Sequence, residues 1–214
     1  MAAIYSIDGN IGSGKSTLID MLREKYVIID EPVKIWKNFK DNDGEDILTK
    51  FYNDQSRWGF TFQMMAYISR LSEIKKMLKK HPNAIMITER SAYSDFHVFA
   101  KMLYSSEKIT DIEYQIYCQW FDEFMQDIPI AGYIYLTTSP EICLERIKKR
   151  GRKGEENIPI EYLHLCHSYH ENWLRNEKNV LFLKEQNIDK IEEFINKNEF
   201  NIETYIEKNS LFVI

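Results

Sequence analysis

Nine residues near the start carry the plainest chemistry in the chain: Gly9, Asn10, Ile11, Gly12, Ser13, Gly14, Lys15, Ser16 and Thr17. They fit G-x-x-x-x-G-K-[ST] without a mismatch. Glycines let backbone N–H groups turn inward and ring a phosphate. A helix starting there adds partial positive charge. Lys15 can reach the outer phosphates, and the Ser16 hydroxyl can ligate Mg²⁺. The context suits the motif. Ala2 to Ile7 reads as a buried strand, and Leu18 to Lys25 carries apolar residues at helical spacing. A chance match in a glycine-rich turn would lack both flanks. The expected ligand is a nucleoside triphosphate, ATP or another, acting as phosphate donor with Mg²⁺.

Other polar groups fall where short apolar runs end. Glu31-Pro32 is a carboxylate on a stiffened turn. Near a transferring phosphate it can take a proton from an attacking hydroxyl; by itself it reads equally as an exposed loop acid. Glu89-Arg90-Ser91 follows another run. Arg90 suits an attacking oxygen and a moving phosphoryl group, because guanidinium is a planar multidentate donor. Glu89 then suits Mg²⁺. The alternative is a strand-end ion pair between the two. Arg146 and Arg150 share a helix face, and Arg152 follows in a loop with two glycines. Such a segment can close over phosphates and exclude water, or it is a solvated basic helix end. Gln63, Ala66, Tyr67 and Arg70 share a face of a further helix. An amide, a small residue and an arginine beside aromatic rings suit a flat, hydrogen-bonding base. Met64-Met65 is expected beside that pocket, making it adaptable.

Positioning these groups falls to alternating strands and helices. Short apolar runs at 26–30, 84–88, 132–136 and 180–183 join the first strand, with helices expected at 45–53, 56–80, 94–104, 110–127, 140–149, 160–178 and 188–197. Continuous short apolar strands separated by helices imply a doubly wound, five-stranded parallel sheet covered on both faces. Ligands then sit beyond the carboxyl ends of the strands, where Gly9, Glu31 and Glu89-Arg90 all fall. The 214 residues, 44% hydrophobic, suit one domain over 1–198 with a helical lid at about 149–158 and a tail at 199–214. A net charge of −5 supplies no basic field for nucleic acid or anionic lipid. No leader or long apolar run is read. Cys118, Cys143 and Cys166 lack metal or disulfide spacing and read as reduced thiols of a cytoplasmic protein. A GTPase is disfavoured because no D-x-x-G follows a strand. A nucleoside monophosphate kinase would need arginines where Glu31 stands, and a non-catalytic nucleotide-binding regulator would not need these reactive groups.

The blocks Glu31-Pro32-Val33, Arg57 to Gln63 (RWGFTFQ), Glu89 to Asp95 (ERSAYSD), Arg146 to Glu156, and Ile158 to Leu163, with His167 and Trp173 downstream, stand in one order over about residues 3–184. In this the chain resembles the cellular-type deoxynucleoside kinases, the group of deoxycytidine, deoxyguanosine and mitochondrial thymidine kinases. The resemblance implies a P-loop kinase fold and 5′-phosphorylation of deoxynucleosides for nucleotide salvage. It implies Glu31 as base, Arg90 on the 5′-oxygen, and Gln63 reading the base between Phe62 and Phe99, with Trp36 among the substrate contacts. Tyr52 and Glu155 would hold the 3′-hydroxyl, although the acid pair sits one place later than is usual and leaves Glu156 open. Arg146, Arg150 and Arg152 would form the lid. Ala66, Arg70 and Asp95 resemble the deoxycytidine and deoxyguanosine kinase pocket, so deoxycytidine or purine deoxynucleosides are expected over thymidine. A homodimer through helices at about 45–80 and 110–128 is also implied.

Overall fold

Alternation within the strands sends side chains to two separate cores. In a computed structural model, which describes residues 2–152, 154, 155 and 158–198, β1 (Ala3–Gly9), β2 (Val27–Ile29), β3 (Ile85–Glu89), β4 (Ile130–Leu136) and β5 (Val180–Leu183) form one parallel sheet. Its order is β2-β3-β1-β4-β5. Tyr5, Ile7, Ile87 and Ile134 point to one face, where they meet α1 (Lys15–Leu22) and a helix at 188–198, here α10. Ile4, Ile29 and Met86 point to the other, against α4 (Gln55–Lys80) and α7 (Asp111–Met125). Being buried on both faces is what made these runs continuously apolar.

Register places the loops. Ile7 pairs with Glu89 and Gly9 with Leu136, so the ends of β1, β3 and β4 lie at one rim. A Cβ on Gly9 would stand 2.9 Å from the Leu136 carbonyl oxygen, and the strands could not approach this closely with a side chain there. Helix starts are fixed locally. Asp46 caps α3 (Ile47–Asn53), Asp54 caps α4, and Thr110 with Glu113 forms a capping box on α7. Ser139 and Pro140 open α8 (Pro140–Arg150), which Gly151 ends in the left-handed region.

Some elements differ from the pattern-based reading. A short helix, α2 (Val33–Trp36), follows Pro32 and was not expected. The helix expected at 94–104 is three pieces: α5 (Ala92–Ser94), a π-helical stretch Asp95–Ala100, and α6 (Lys101–Ser105). Side-chain periodicity does not distinguish these pitches. The helix expected to reach residue 178, α9 (Ile160–Leu174), stops earlier because Asn176 Nδ2 takes the Asn172 carbonyl (2.7 Å) and Asn179 turns left-handed (φ 56°). Lys153, Glu156, Asn157 and the tail at 199–214 lie outside the described residues.

Candidate active site

The loop after β1 is wound tightly enough to need its glycines: Gly12 and Gly14 have φ of 78° and 100°. Gly14 immediately precedes α1, so the loop delivers its backbone to that helix's N-terminus. Lys15 is buried, and its ammonium donates to the Gly9 (3.1 Å) and Asn10 (2.7 Å) carbonyls. Burial first, then the nearby Arg90 charge, lowers its pKa to about 8. An anion in the loop would favour the charged form. Asn10 anchors the loop from outside, donating to the Leu163 carbonyl (2.8 Å) and accepting from the Ile11 N–H (2.9 Å). The Ser13 carbonyl receives Thr138 Oγ1 (3.0 Å) and Arg146 Nη1 (2.9 Å), which fixes Arg146 beside the loop. Ser16 and Thr17 are exposed and line a cleft of about 1080 Å³.

Across the loop stand an acid and two arginines. Glu31 leaves β2 just before Pro32, with 14% of its side chain exposed, which rules out the exposed-loop reading. Its Oε1 accepts from Arg90 Nη1 (3.0 Å) and Arg70 Nη2 (3.1 Å). Burial alone would raise its pKa, but Arg90, Arg70 and Lys15 outweigh that and hold Glu31 well below the usual carboxylate range. Arg90 also donates to the Gly9 carbonyl (3.2 Å) and lies 5.1 Å over the Phe99 ring. Its φ of 59° is left-handed, a conformation that costs a non-glycine residue about 1–3 kcal/mol. Arg90 therefore pairs with Glu31, while Glu89 takes the Ser16 hydroxyl (3.1 and 3.2 Å to its two oxygens). The strand-end pair Glu89–Arg90 is not what forms.

The cleft's inner end is a slot. Phe62 stacks on Phe51 (4.5 Å between centroids, 19°) and meets Trp36 edge-on (5.4 Å). Trp36 is steadied by its Nε1–H bond to Ser69 (2.8 Å). Phe62, Phe99, Gln63 and Ala66 all line the slot, and the buried Gln63 Oε1 has no partner among the described residues. Arg70 closes it. Nε donates to Asp95 Oδ2 (2.8 Å), Nη2 to Asp95 Oδ1 (3.3 Å), and Nη1 to the Glu89 carbonyl (2.8 Å). Burial opposes its charge, but Asp95 and Glu31 outweigh burial and keep it cationic. Neither Met64 nor Met65 lines the slot, but Met65 lies beside it, packed against the cluster of Trp36, Phe51, Phe62 and Ala66. Met64 packs in the core under α4, and Met65 lines a separate groove with Trp58 and Phe39. The pair sits on other faces of α4 than Gln63 and Ala66.

Beyond α8 the chain folds back over this cleft. Gly154 lies against the start of α3, where an added Cβ would be 3.1 Å from Thr49 Oγ1. Glu155 is buried and receives both Arg150 and Arg152 (Nη1 to Oε1, 3.1 Å). Tyr52, Glu155 and the three arginines Arg146, Arg150 and Arg152 line one cleft. Burial, then Glu155, pushes the Tyr52 hydroxyl pKa upward, so it stays protonated. The alternative sugar contact, Glu156, lies outside the described residues. Among the described residues no group of three or more His, Cys, Asp or Glu side chains could hold a metal ion. Ser16 and Glu89 offer hard oxygen donors side by side, which suits Mg²⁺ shared with phosphates, since that ion usually takes only one or two protein carboxylates.

Sequence reasoning missed Leu48, Phe51 and Tyr162, which also line the cleft. For the first two a signal existed: Leu48, Phe51 and Tyr52 share one face of α3. Tyr162 belongs to the block Ile158 to Leu163, where spacing alone does not show which side chain reaches the cleft.

Comparison with known proteins bears on this cleft. A family model described as deoxynucleoside kinase matches residues 5–211. The chain is 43% identical over 173 residues to a fowlpox virus (strain NVSL) protein named as a probable deoxycytidine kinase, the match covering 79% of this chain and 70% of that one. It is 38% identical over 192 residues to Homo sapiens deoxycytidine kinase, covering 79% and 74%. A mitochondrial deoxyguanosine kinase of Xenopus laevis is 31% identical over 227 residues, covering 96% and 83%.

Proposed function

The chain belongs to the deoxynucleoside kinase family and phosphorylates deoxynucleosides from a nucleotide donor, and from that premise we propose how its residues divide the work. The observation that carries the proposal is the Glu31 carboxylate 3.0 Å from the Arg90 guanidinium, facing the loop lysine across one cleft. The 5′-hydroxyl gives its proton to Glu31 as its oxygen forms a bond to the γ-phosphorus of ATP. The bond to the bridging oxygen breaks, and its electron pair leaves with ADP. Glu31 is ionised at neutral pH and able to accept. Arg90 holds the attacking oxygen. Lys15, Arg150 and Arg152 offset charge on the phosphoryl group in flight. Gly9, Asn10, Ile11, Gly12, Ser13, Gly14 and Thr17 form the phosphate loop with Lys15 and Ser16. Mg²⁺ held by Ser16 and Glu89 would neutralise phosphate charge. Tyr52 and Glu155 take the 3′-hydroxyl, and Gln63 reads the base between Phe62 and Phe99.

Base preference follows from Arg70 and Asp95. Asp accepts from an exocyclic amine, where thymine presents a carbonyl oxygen that cannot donate, with a methyl beside it. Deoxycytidine or a purine deoxynucleoside is the preferred substrate. A cytoplasmic setting is proposed because Cys118, Cys143 and Cys166 are free thiols. No helix among the described residues is long and apolar enough to cross a membrane. A homodimer is proposed because Ile112, Ile116, Trp120 and Phe124 recur every fourth residue along α7 and are exposed, with Ile68 exposed on α4. One assay tests the reading. The purified chain receives ATP-Mg²⁺ with each of the four deoxynucleosides and, separately, their monophosphates. Turnover with deoxycytidine or purine deoxynucleosides is expected. Turnover confined to monophosphates would favour a monophosphate kinase, and none at all a nucleotide-binding regulator.

A further inference from the structure

Arg90 holds a left-handed backbone conformation at the junction of β3 and α5, and something must keep it there. Four contacts do so. The Arg90 N–H donates to the Ile7 carbonyl (3.1 Å), and the Thr88 hydroxyl donates to the Arg90 carbonyl (2.8 Å). The next N–H, of Ser91, donates to Ser94 Oγ (3.1 Å). The Ser94 hydroxyl in turn donates to Asp8 Oδ1. Ser91, Ser94 and Asp8 are all fully buried. Asp8 immediately precedes Gly9, whose carbonyl accepts from both Arg90 and Lys15. Asp8 does not itself border the cleft.

A buried carboxyl group is costly unless it is partnered, and Ser94 is the hydrogen-bond partner of Asp8 Oδ1, while Oδ2 is buried without one among the described residues. The Ser94 bond ties the last residue before the phosphate loop to the turn that aims Arg90. Ser94 also precedes Asp95, whose carboxylate holds Arg70. We propose that Asp8, through Ser94, is a positioning residue for phosphoryl transfer, locking the Arg90 turn and the start of the π-helical stretch against the phosphate loop. This rests on the role given to Arg90 above.

The test is a set of variants assayed with ATP and deoxycytidine, with folding followed by circular dichroism and Tm. Ser94→Ala and Asp8→Val break the tie. Each should lower kcat at least about tenfold, because small misplacements of a reacting group are expensive in rate. KM for ATP should stay within about twofold, since the loop's own contacts are intact. Asp8→Asn keeps an acceptor for Ser94 and should stay within about threefold of wild type. In an Arg90→Lys background, Ser94→Ala should cost less than about twofold more, because its effect runs through Arg90. A folded Ser94→Ala enzyme with wild-type kcat overturns the proposal. So does an undiminished Ser94→Ala loss in the Arg90→Lys background, as does failure of both Ser94→Ala and Asp8→Val to fold, which would make the pair simply core. If Arg90→Lys itself leaves kcat unchanged, the role given to Arg90 fails, separately from the Asp8 tie.

Discussion

Removing Asp95 alone should harm the protein more than removing it together with Arg70. Arg70 is 2% exposed and has five N–H donors. Four are used: two on Asp95, one on Glu31 and one on the Glu89 carbonyl, leaving a single Nη1 hydrogen for a ligand. Asp95→Ala strands two of those donors on a charge that burial keeps from water. Breaking a buried pair in this way costs about 3–5 kcal/mol, which for a chain of this size lowers Tm by roughly 6–20 °C. Arg70→Met with Asp95→Ala removes charge and partner together, leaves room at the slot's end and leaves Glu31 its bond from Arg90, so it should recover a good part of that loss. The same double variant should change base choice. Facing thymine, each unpaired polar group costs about 1–3 kcal/mol. Relieving about 1.4–2.8 kcal/mol should move the thymidine to deoxycytidine ratio of kcat/KM by about one to two orders of magnitude. Thermal melts and the two kcat/KM values supply the assay. A double variant no more stable than Asp95→Ala would refute the pair energetics. Wild-type preference for thymidine, or an unchanged ratio, would refute the pocket assignment.

Lys15→Ala should abolish ATP-dependent turnover while the chain stays folded by circular dichroism; comparable turnover would remove the lysine from phosphate binding. Arg150→Ala and Arg152→Ala should each lower kcat at least about tenfold with little change in Tm, because either arginine left in place still partners Glu155; the reverse pattern would make them a solvated helix end. His170 is fully buried, donates from Nδ1 to the Cys166 carbonyl (2.7 Å), and has its pKa lowered by burial to about 3. The unfolded chain therefore binds the extra proton between about pH 6.5 and 3, so this contribution is complete above pH 6.5 and is lost as pH falls. At pH 4.5 the loss is roughly 2–3 kcal/mol. His170→Phe should flatten the acid limb of Tm against pH, and an unchanged limb would show that other groups set it.

The phosphate loop was legible because its chemistry is contiguous: nine residues, a strand before and a helix after. The rim was legible too, because parallel strands must end on one side and Glu31 and Glu89-Arg90 follow strands directly. Partner choice was not. Whether Arg90 turns to Glu89 or Glu31 depends on its left-handed φ, and nothing local in Glu-Arg-Ser announces that. Helical spacing placed Gln63, Ala66 and Arg70 on one face, and the same spacing turns Met64 to the other core while Met65 packs behind the slot. The π-helical stretch carrying Asp95 and Phe99 has no periodic signature distinct from an α-helix. Asp8 was invisible as a participant because a single acid at a strand's end acquires meaning only when Ser94 is brought against it.

If Glu31 takes the proton from the 5′-hydroxyl during phosphoryl transfer, one substitution isolates that step. Glu31→Gln keeps the shape and an acceptor for Arg90 and Arg70 but cannot take the proton. Single-turnover transfer from labelled ATP to deoxycytidine should slow by about 10²–10⁴-fold, with deoxycytidine affinity changed only a few-fold. Transfer within about threefold of wild type would show that Glu31 is not the base.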